Sequence, residues 1–206
     1  MQFVLASKNQ HKQQELQQIL APYGIELVLQ SRLGLELEVE ETGQTFRENA
    51  LIKARAVMQA SGLPAIADDS GLVVDALGGA PGVYSARYGG DACKTDEDRN
   101  RLLLENLAGV PAAEKTARFV CCICCVFPDG RTVVGQGSCE GLITDRPCGA
   151  QRFGYDPVFY VPSEKLTFAQ ISPERKNSIS HRGRAIQDFY AQMQKEINYA
   201  DKQAKS

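Results

Sequence analysis

The sequence has no surplus of charge: 23 Lys and Arg stand against 25 Asp and Glu, a formal net charge of −2. Such a balance gives no general attraction to nucleic acid or anionic membrane, so a bound phosphate must be met by a local cluster of donors. No leader is expected either. Met1-Gln2-Phe3-Val4-Leu5-Ala6-Ser7 has no basic start and an apolar run too short for a signal peptide or spanning helix, so a soluble cytoplasmic protein is expected. Internal repeats, low-complexity tracts and long linkers are absent. The 206 residues, 43% hydrophobic, suffice for one large core or two closely packed lobes, read as a single domain over 1–206. Metal-type spacing of cysteine and histidine is also lacking. Of seven cysteines, four fall in Cys121-Cys122-Ile123-Cys124-Cys125, and His11 and His181 supply no matching pair. In a reducing compartment these four read as small apolar residues of a central strand.

What is present centres on Ala67-Asp68-Asp69-Ser70-Gly71-Leu72, which follows the start of a short buried strand at Leu63-Pro64-Ala65-Ile66. Adjacent strand side chains point to opposite faces, so Asp68 and Asp69 cannot share one surface, and one of them should face a cleft. Two acids at a buried strand end are costly to desolvate without a cation, a donor or a shared proton, and a divalent metal is the simplest companion. The alternative is a turn in which one Asp accepts from the backbone before Gly71.

Along the chain, Gln2 to Ala6 reads as a strand, Ser7-Lys8-Asn9-Gln10 as a polar turn, and Lys12 to Leu20 as a helix. Free N–H groups at such a helix start attract anions, with Ser7, Asn9 and Lys12 as added donors; Ser7 or Asn9 could equally be an ordinary cap. Walker-type glycines are missing. After a second strand at Ile25 to Leu29 comes an acidic segment with Glu36, Glu38, Glu40 and Glu41, in which periodicity does not say which acid faces inward. Thr45-Phe46-Arg47-Glu48 fits a capping box opening a helix to about Ser61, with Asn49 and Lys53 one turn apart beside its apolar stripe. Lys53 either snorkels or points at an anion. Strand character returns at Leu72 to Ala76, the Gly/Pro-dense Gly78 to Gly82 makes a tight loop, and Thr95 to Leu107 reads as an amphipathic helix. Phe119 to Phe127 and Thr132 to Glu140 flank Pro128-Asp129-Gly130-Arg131, a strong hairpin signal. Phe153-Gly154-Tyr155-Asp156-Pro157 joins two aromatic rings to a glycine turn and an acid, as suits a pocket for a planar ring. Arg175, Lys176, His181 and Arg182 cluster near the start of the last helix, where the dipole disfavours cations unless a carbonyl or phosphate is bound.

These motifs, in this order, resemble the inosine triphosphate pyrophosphatases. The likeness covers essentially the whole chain, through Ser7-Lys8-Asn9 with Lys12, Glu40-Glu41-Thr42-Gly43 with Thr45-Phe46 and Glu48-Asn49-Ala50, Lys53-Ala54, Ala67 to Leu72, Gly79 to Arg87, Phe153 to Pro157 and Ser180 to Gly183. The resemblance implies an α/β fold, an elongated mixed β-sheet with flanking helices in two lobes around a central nucleotide-binding cleft, and a homodimer. It implies Mg2+ as cofactor, held by Glu40 and Asp69, with Asp69 also the general base. Ser7, Lys8, Asn9, Gln10, His11 and Lys12 would hold the phosphates, Ser70 would touch substrate, Phe153, Gly154, Tyr155 and Asp156 would form the base pocket, and Lys176, His181 and Arg182 would hold the base or its edge groups. Lys53 is added on physical grounds. Many relatives have glycines where this chain has Gln151-Arg152, and a glycine where it has Lys8.

The activity so implied is hydrolysis of ITP, dITP and XTP to the monophosphate and pyrophosphate, which would clear the nucleotide pool. A carbonyl at the purine six position would accept from His181 or Arg182, whereas an amino group there would face those donors unfavourably. Two other readings compete. A serine hydrolase using Ser70 or Ser180 lacks the Gly-x-Ser-x-Gly elbow, and a nucleotide-binding sensor without turnover would have little use for intact Asp68, Asp69 and Lys53. Neither nucleic acid nor membrane is expected as a partner.

Overall fold

The computed structural model describes residues 1–150 and 153–203, and the side chains up to residue 196. Gln151 and Arg152, the two departures at the expected pocket rim, and the end of the Lys-rich tail lie outside the described residues. Seven strands form one sheet: β1 (Gln2–Leu5), β2 (Glu26–Leu29), β3 (Ala65–Val74), β4 (Thr116–Val126), β5 (Thr132–Ile143), β6 (Phe159–Val161) and β7 (Leu166–Thr167), in the order β2-β1-β3-β4-β5-β6-β7. Five α-helices accompany it: α1 (Gln10–Leu20), α2 (Phe46–Ser61), α3 (Asp96–Asn106), α4 (Pro173–Ile179) and α5 (His181–Gln203). No helix among the described residues is long and apolar enough to cross a membrane. The fold is thus mixed α/β, as expected.

Two compact units divide the chain, and β3, β4 and β5 each begin in one and end in the other. The first holds Met1–Asp69, Cys121–Gly137 and the chain from His181 onward. In it β1 pairs in parallel with β2, Val4 opposite Val28, and with β3, Val4 opposite Ala65. Parallel pairing needs a crossover, which α1 and α2 provide. One core cluster joins Phe3, Leu5, Leu16, Ile123 and Phe189, with Cys121 and Cys125; Cys122 and Cys124 join a smaller cluster with Ala50. Alternation along β4 therefore splits the cysteine run between two faces, all four buried, as small apolar fillers should be. In β5, a Cβ built at Gly135 or Gly137 would overlap the backbone of α5 at Ala185, so the two glycines let that helix lie directly on the strand.

The second unit holds Ser70–Val120 and Ser138–Ser180. Its core gathers Leu72, Leu103, Phe119, Phe159 and Phe168, and the Phe119 and Phe159 rings meet edge-on at 4.7 Å. Here α3 opens with a second capping box, Thr95 accepting from the Asp98 amide. α4 is capped by Ser172, and its end at Ile179 separates Lys176 from α5, so the cations expected at one helix start sit on two helices. The Asp pair also differs from expectation. Ala65 to Val74 is one uninterrupted strand, and Asp68 and Asp69 lie in its middle, where the side chains of both find partners and neither makes a turn.

Candidate active site

In the first unit, the loop between β1 and α1 has the expected form. Asn9 is the N-cap, its Oδ1 accepting from the Lys12 amide at 3.1 Å, and Ser7 Oγ accepts from the Asn9 amide at 3.2 Å. Gln10 and His11 open the helix on its exposed side, and Lys8 meets Glu38 at 3.1 Å, where both are well exposed. Lys12 turns inward, one helical turn from the cap.

Its ammonium lies 3.0 Å from Asp68 Oδ2, and Arg182 Nη2 approaches the same oxygen at 3.2 Å. Arg182 is itself buried and spends Nη1 on Glu15 of α1. Burial alone would lift the Asp68 pKa, but Lys12, Arg182 and Lys53 together outweigh it and hold this carboxyl well below the usual range. Arg182 answers in kind: burial opposes its charge, yet Glu15 and Asp68 raise its proton affinity.

Asp69 points to the other face, toward α2. Lys53 Nζ lies 3.1 Å from its Oδ1, and the buried Asn49 donates Nδ2 to Oδ2 at 3.4 Å. Burial dominates at Asp69, and with Glu41 nearby it lifts the pKa above the ordinary carboxylate value despite Lys53 and Lys12. Lys53 also meets Glu41 at 2.7 Å, and its charge, disfavoured by burial, is restored mainly by Asp69 and Asp68.

The two neighbouring glutamates part company. From Leu35 to Glu41 exposure alternates: Glu36, Glu38 and Glu40 are exposed, Leu35, Leu37, Val39 and Glu41 half-buried. Glu40 is thus on the solvent side, and Glu41 is the acid beside Lys53. The approach is fixed by α2, whose Asn49 Oδ1 accepts from the Gly43 amide at 2.8 Å and whose Glu48 accepts from the Gln44 and Thr45 amides. A Cβ at Gly43 would stand 2.6 Å from Glu48 Cβ, so only glycine allows the chain this close.

The second unit carries another buried pair. Lys176 Nζ lies 2.6 Å from Asp156 Oδ2, and it stands 5.9 Å from the Phe153 ring centroid and 5.5 Å from that of Phe168. Phe153 is half-buried, whereas Tyr155 is buried and donates its hydroxyl to the Ser85 carbonyl at 2.9 Å, so of the two expected stacking rings Tyr155 is built into the wall. Burial pushes the Tyr155 phenol up, which keeps it a donor. Ser70 is half-buried on β3. His181 and Arg182 belong to the first unit, and Lys176 to the second.

A magnesium ion takes one or two carboxylates and completes its shell with water and substrate oxygens. Among the described residues no group of three or more His, Cys, Asp and Glu side chains stands assembled as a metal cage. The donor set nevertheless fits a hard cation. Asp69 and Glu41 are carboxylates converging on one ammonium, two hard oxygen donors against a single cation.

Sequence reasoning passed over Glu15, left Glu41 among four acids without choosing it, and noted Asn49 beside Lys53 without giving it a role. Asn49 had a signal, its spacing of one turn from Lys53, whereas Glu15 had none, because its partner is 167 residues away.

Carboxylates on one strand, bracketed by lysine and arginine beside a polar helix start, are the equipment of a protein that handles an anion together with a cation. The chain belongs to the Ham1 family, whose profile matches residues 3–192. It is 50% identical over 186 residues to the dITP/XTP pyrophosphatase of Desulforamulus reducens, covering 90% of this chain and 92% of that one. The dITP/XTP pyrophosphatase of Escherichia coli K12 is 48% identical over 185 residues, 89% of this chain and 93% of the other. Among solved structures, the Staphylococcus aureus Ham1 protein superposes with a TM-score of 0.84 at 43% identity, covering 95% of this chain and all of that one (100%).

Proposed function

We propose that this chain hydrolyses deaminated purine nucleoside triphosphates, ITP, dITP and XTP, to the monophosphate and pyrophosphate, as the names of relatives near 50% identity suggest. The observation that carries the reading is the opposite tuning of two adjacent carboxylates. Asp68 is held ionised by Lys12 and Arg182, and so serves as a fixed anchor, while burial raises the Asp69 pKa above the ordinary carboxylate value, the direction that favours taking up a proton.

In this reading, Asp69 positions and deprotonates the water that attacks phosphorus. Lys12, Lys53 and the amides at the start of α1 carry the triphosphate charge, with Ser7 to His11 lining its path. Asp69, with Glu40 as the resemblance implies or with Glu41 as its position beside Lys53 favours, would hold Mg2+. When bound, that ion neutralises the leaving pyrophosphate. Phe153 and Lys176, backed by Asp156, suit a purine ring and its carbonyl; His181 and Arg182, in the first unit, are further donors that the resemblance implies. Arg182 acts largely through Asp68, since Glu15 and Asp68 occupy its two Nη atoms. The enzyme would work as a cytoplasmic homodimer, its seven free thiols kept reduced.

The test is pyrophosphate release from ITP, XTP, GTP and ATP, with and without magnesium, by the wild type and Asp69→Asn, with sedimentation for the oligomer. Release from ITP and XTP that needs magnesium and is lost in Asp69→Asn is expected. Equal rates on ATP and ITP would remove the proposed base selection, and full activity of Asp69→Asn would remove the base.

A further inference from the structure

We propose that Asp96 and Asn100 of α3 are positioning residues that set the base-binding loop Phe153–Asp156 in register, and thereby tune selectivity for the purine. The inference rests on the reading above that this loop meets the base. Its ground is a clamp on a single peptide position. The Gly154 amide donates to Asp96 Oδ2 at 2.7 Å, and the Gly154 carbonyl accepts from Asn100 Nδ2 at 2.9 Å. Asp96 and Asn100 are one turn apart on the same face of α3, so a rigid helix holds both backbone polar atoms of one residue.

That residue sits where fixing matters. Gly154 has φ +54°, in the left-handed region, and it joins Phe153, near whose ring the Lys176 ammonium stands, to Tyr155, whose hydroxyl is anchored on Ser85. A rotation at Gly154 would swing the Phe153 ring while leaving Tyr155 in place.

At Gly154 the loop meets α3 through hydrogen bonds on both of its backbone polar atoms. Beside the clamp the helix borders a cavity of about 580 Å³, lined by Asn100, Leu104, Gly149 and Pro157, where close-packed side chains would otherwise set the spacing. Asn100 is 96% buried by its 4% exposure, and its Oδ1 is buried without a hydrogen-bond partner. Burying an unpaired amide oxygen is costly, and the cost is accepted here for the one bond that Nδ2 gives to the loop. The loop runs between the half-buried Phe153 and the buried Lys176–Asp156 pair, and among the described residues the Gly154 peptide is held by Asp96 and Asn100.

Two variants cut the clamp, Asp96→Ala and Asn100→Ala, and Asp96→Asn keeps an acceptor oxygen in place. Asp98→Ala serves as the structural control, because it breaks the capping box of the same helix without reaching Gly154. For Asp96→Ala and Asn100→Ala we expect KM for ITP to rise about tenfold with kcat within about twofold, and the ITP over ATP preference in kcat/KM to fall about tenfold. Asp96→Asn should restore both, and Asp98→Ala should lower Tm while moving neither. The Gly154 amide should exchange with solvent slowly in the wild type and rapidly in Asp96→Ala, a readout independent of turnover. Wild-type KM and selectivity in both alanine variants, losses matched by Asp98→Ala, or equal Gly154 exchange in wild type and Asp96→Ala would each overturn the clamp. A wild type with protected Gly154 and no pyrophosphate release from ITP would instead overturn the functional reading.

Discussion

Asp68 and Asp69 are consecutive residues of β3 that face opposite ways and are tuned in opposite directions. Asp68 meets Lys12 at 3.0 Å and Arg182 at 3.2 Å, while Asp69 shares Lys53 with Glu41 and takes one amide donor from Asn49. Strand geometry makes the separation automatic, since side chains one residue apart leave a sheet on different faces. One acid is thus held ionised by two cations, while burial lifts the pKa of the other above the ordinary carboxylate value.

Asp69→Asn should therefore stabilise the metal-free protein while removing its activity. A carboxyl whose folded pKa is raised contributes stability that is present below the ordinary carboxylate range and lost as pH rises through the folded value. At pH 7 the charge is a burden that a neutral amide lifts. Thermal unfolding in EDTA should give Asp69→Asn the higher Tm at pH 7, the two curves converging toward pH 3. Its kcat for ITP should fall by about 10² to 10⁴, the usual share of a general base. A lower Tm at neutral pH would show that Lys53 needs Asp69 more than Asp69 suffers from burial.

Asp68→Asn should do the reverse. Its depressed pKa means stability that is fully present above the ordinary carboxylate range and lost as pH falls through the folded value. Replacing it at pH 7 strips an anion from the buried Arg182 and the half-buried Lys12, a loss of about 3–5 kcal/mol by analogy with other broken buried pairs. Urea titrations at pH 7 and near pH 3 should show the gap narrowing in acid. A neutral effect at pH 7 would mean that Glu15 alone suffices for Arg182.

How much of this could be read from the chain depends on the distance over which each feature is decided. The capping box at Thr45, the Asn9 cap and the 128–131 hairpin are local and follow from neighbouring residues, and α2 ends at Ser61 as expected. The cysteine run was legible because its composition leaves little choice but a buried strand. The short strands Phe159–Val161 and Leu166–Thr167 carry too few residues for a periodic signal. β3 was misjudged as two pieces because acids in mid-strand contradict local propensity, and the cations that make them tolerable come from α1, α2 and α5. The choice between Glu40 and Glu41 turns on a side-chain alternation that begins at Leu35, in a segment without regular structure, and no sequence period reveals its phase.

Lys176 and Asp156 form the buried pair of the second unit, 2.6 Å apart, with Asp156 at 3% and Lys176 at 4% exposure. Removing one side chain takes the 2.6 Å counter-charge from the other, which stays buried, whereas removing both charges removes the imbalance. Lys176→Met and Asp156→Asn should each cost about 3–5 kcal/mol, and the double variant less than either one alone. Chemical denaturation of the four proteins closes the cycle. Additive losses would show that the two side chains act independently, and the 2.6 Å contact would then have no energetic meaning.

Gly137→Ala tests whether α5 owes its place to the absence of a side chain. The added methyl would meet the backbone of Ala185 and His181, which cannot yield as a flexible side chain can, so the helix must shift or the strand must bend. Overpacking of this kind costs about 1–3 kcal/mol. Because α5 begins with His181 and Arg182, the shift should also disturb the contact between Arg182 and Asp68, lowering kcat for ITP together with stability. That pairing of losses separates it from Asp69→Asn, where activity falls as stability rises. Gly130→Ala is the counterpart: a Cβ there meets nothing within 4 Å, but the residue has φ +89°, so the cost is backbone strain alone. It should lower Tm by a comparable amount and leave kcat where it was, and a Gly137→Ala enzyme behaving the same way would show that α5 can move without carrying Arg182 off Asp68.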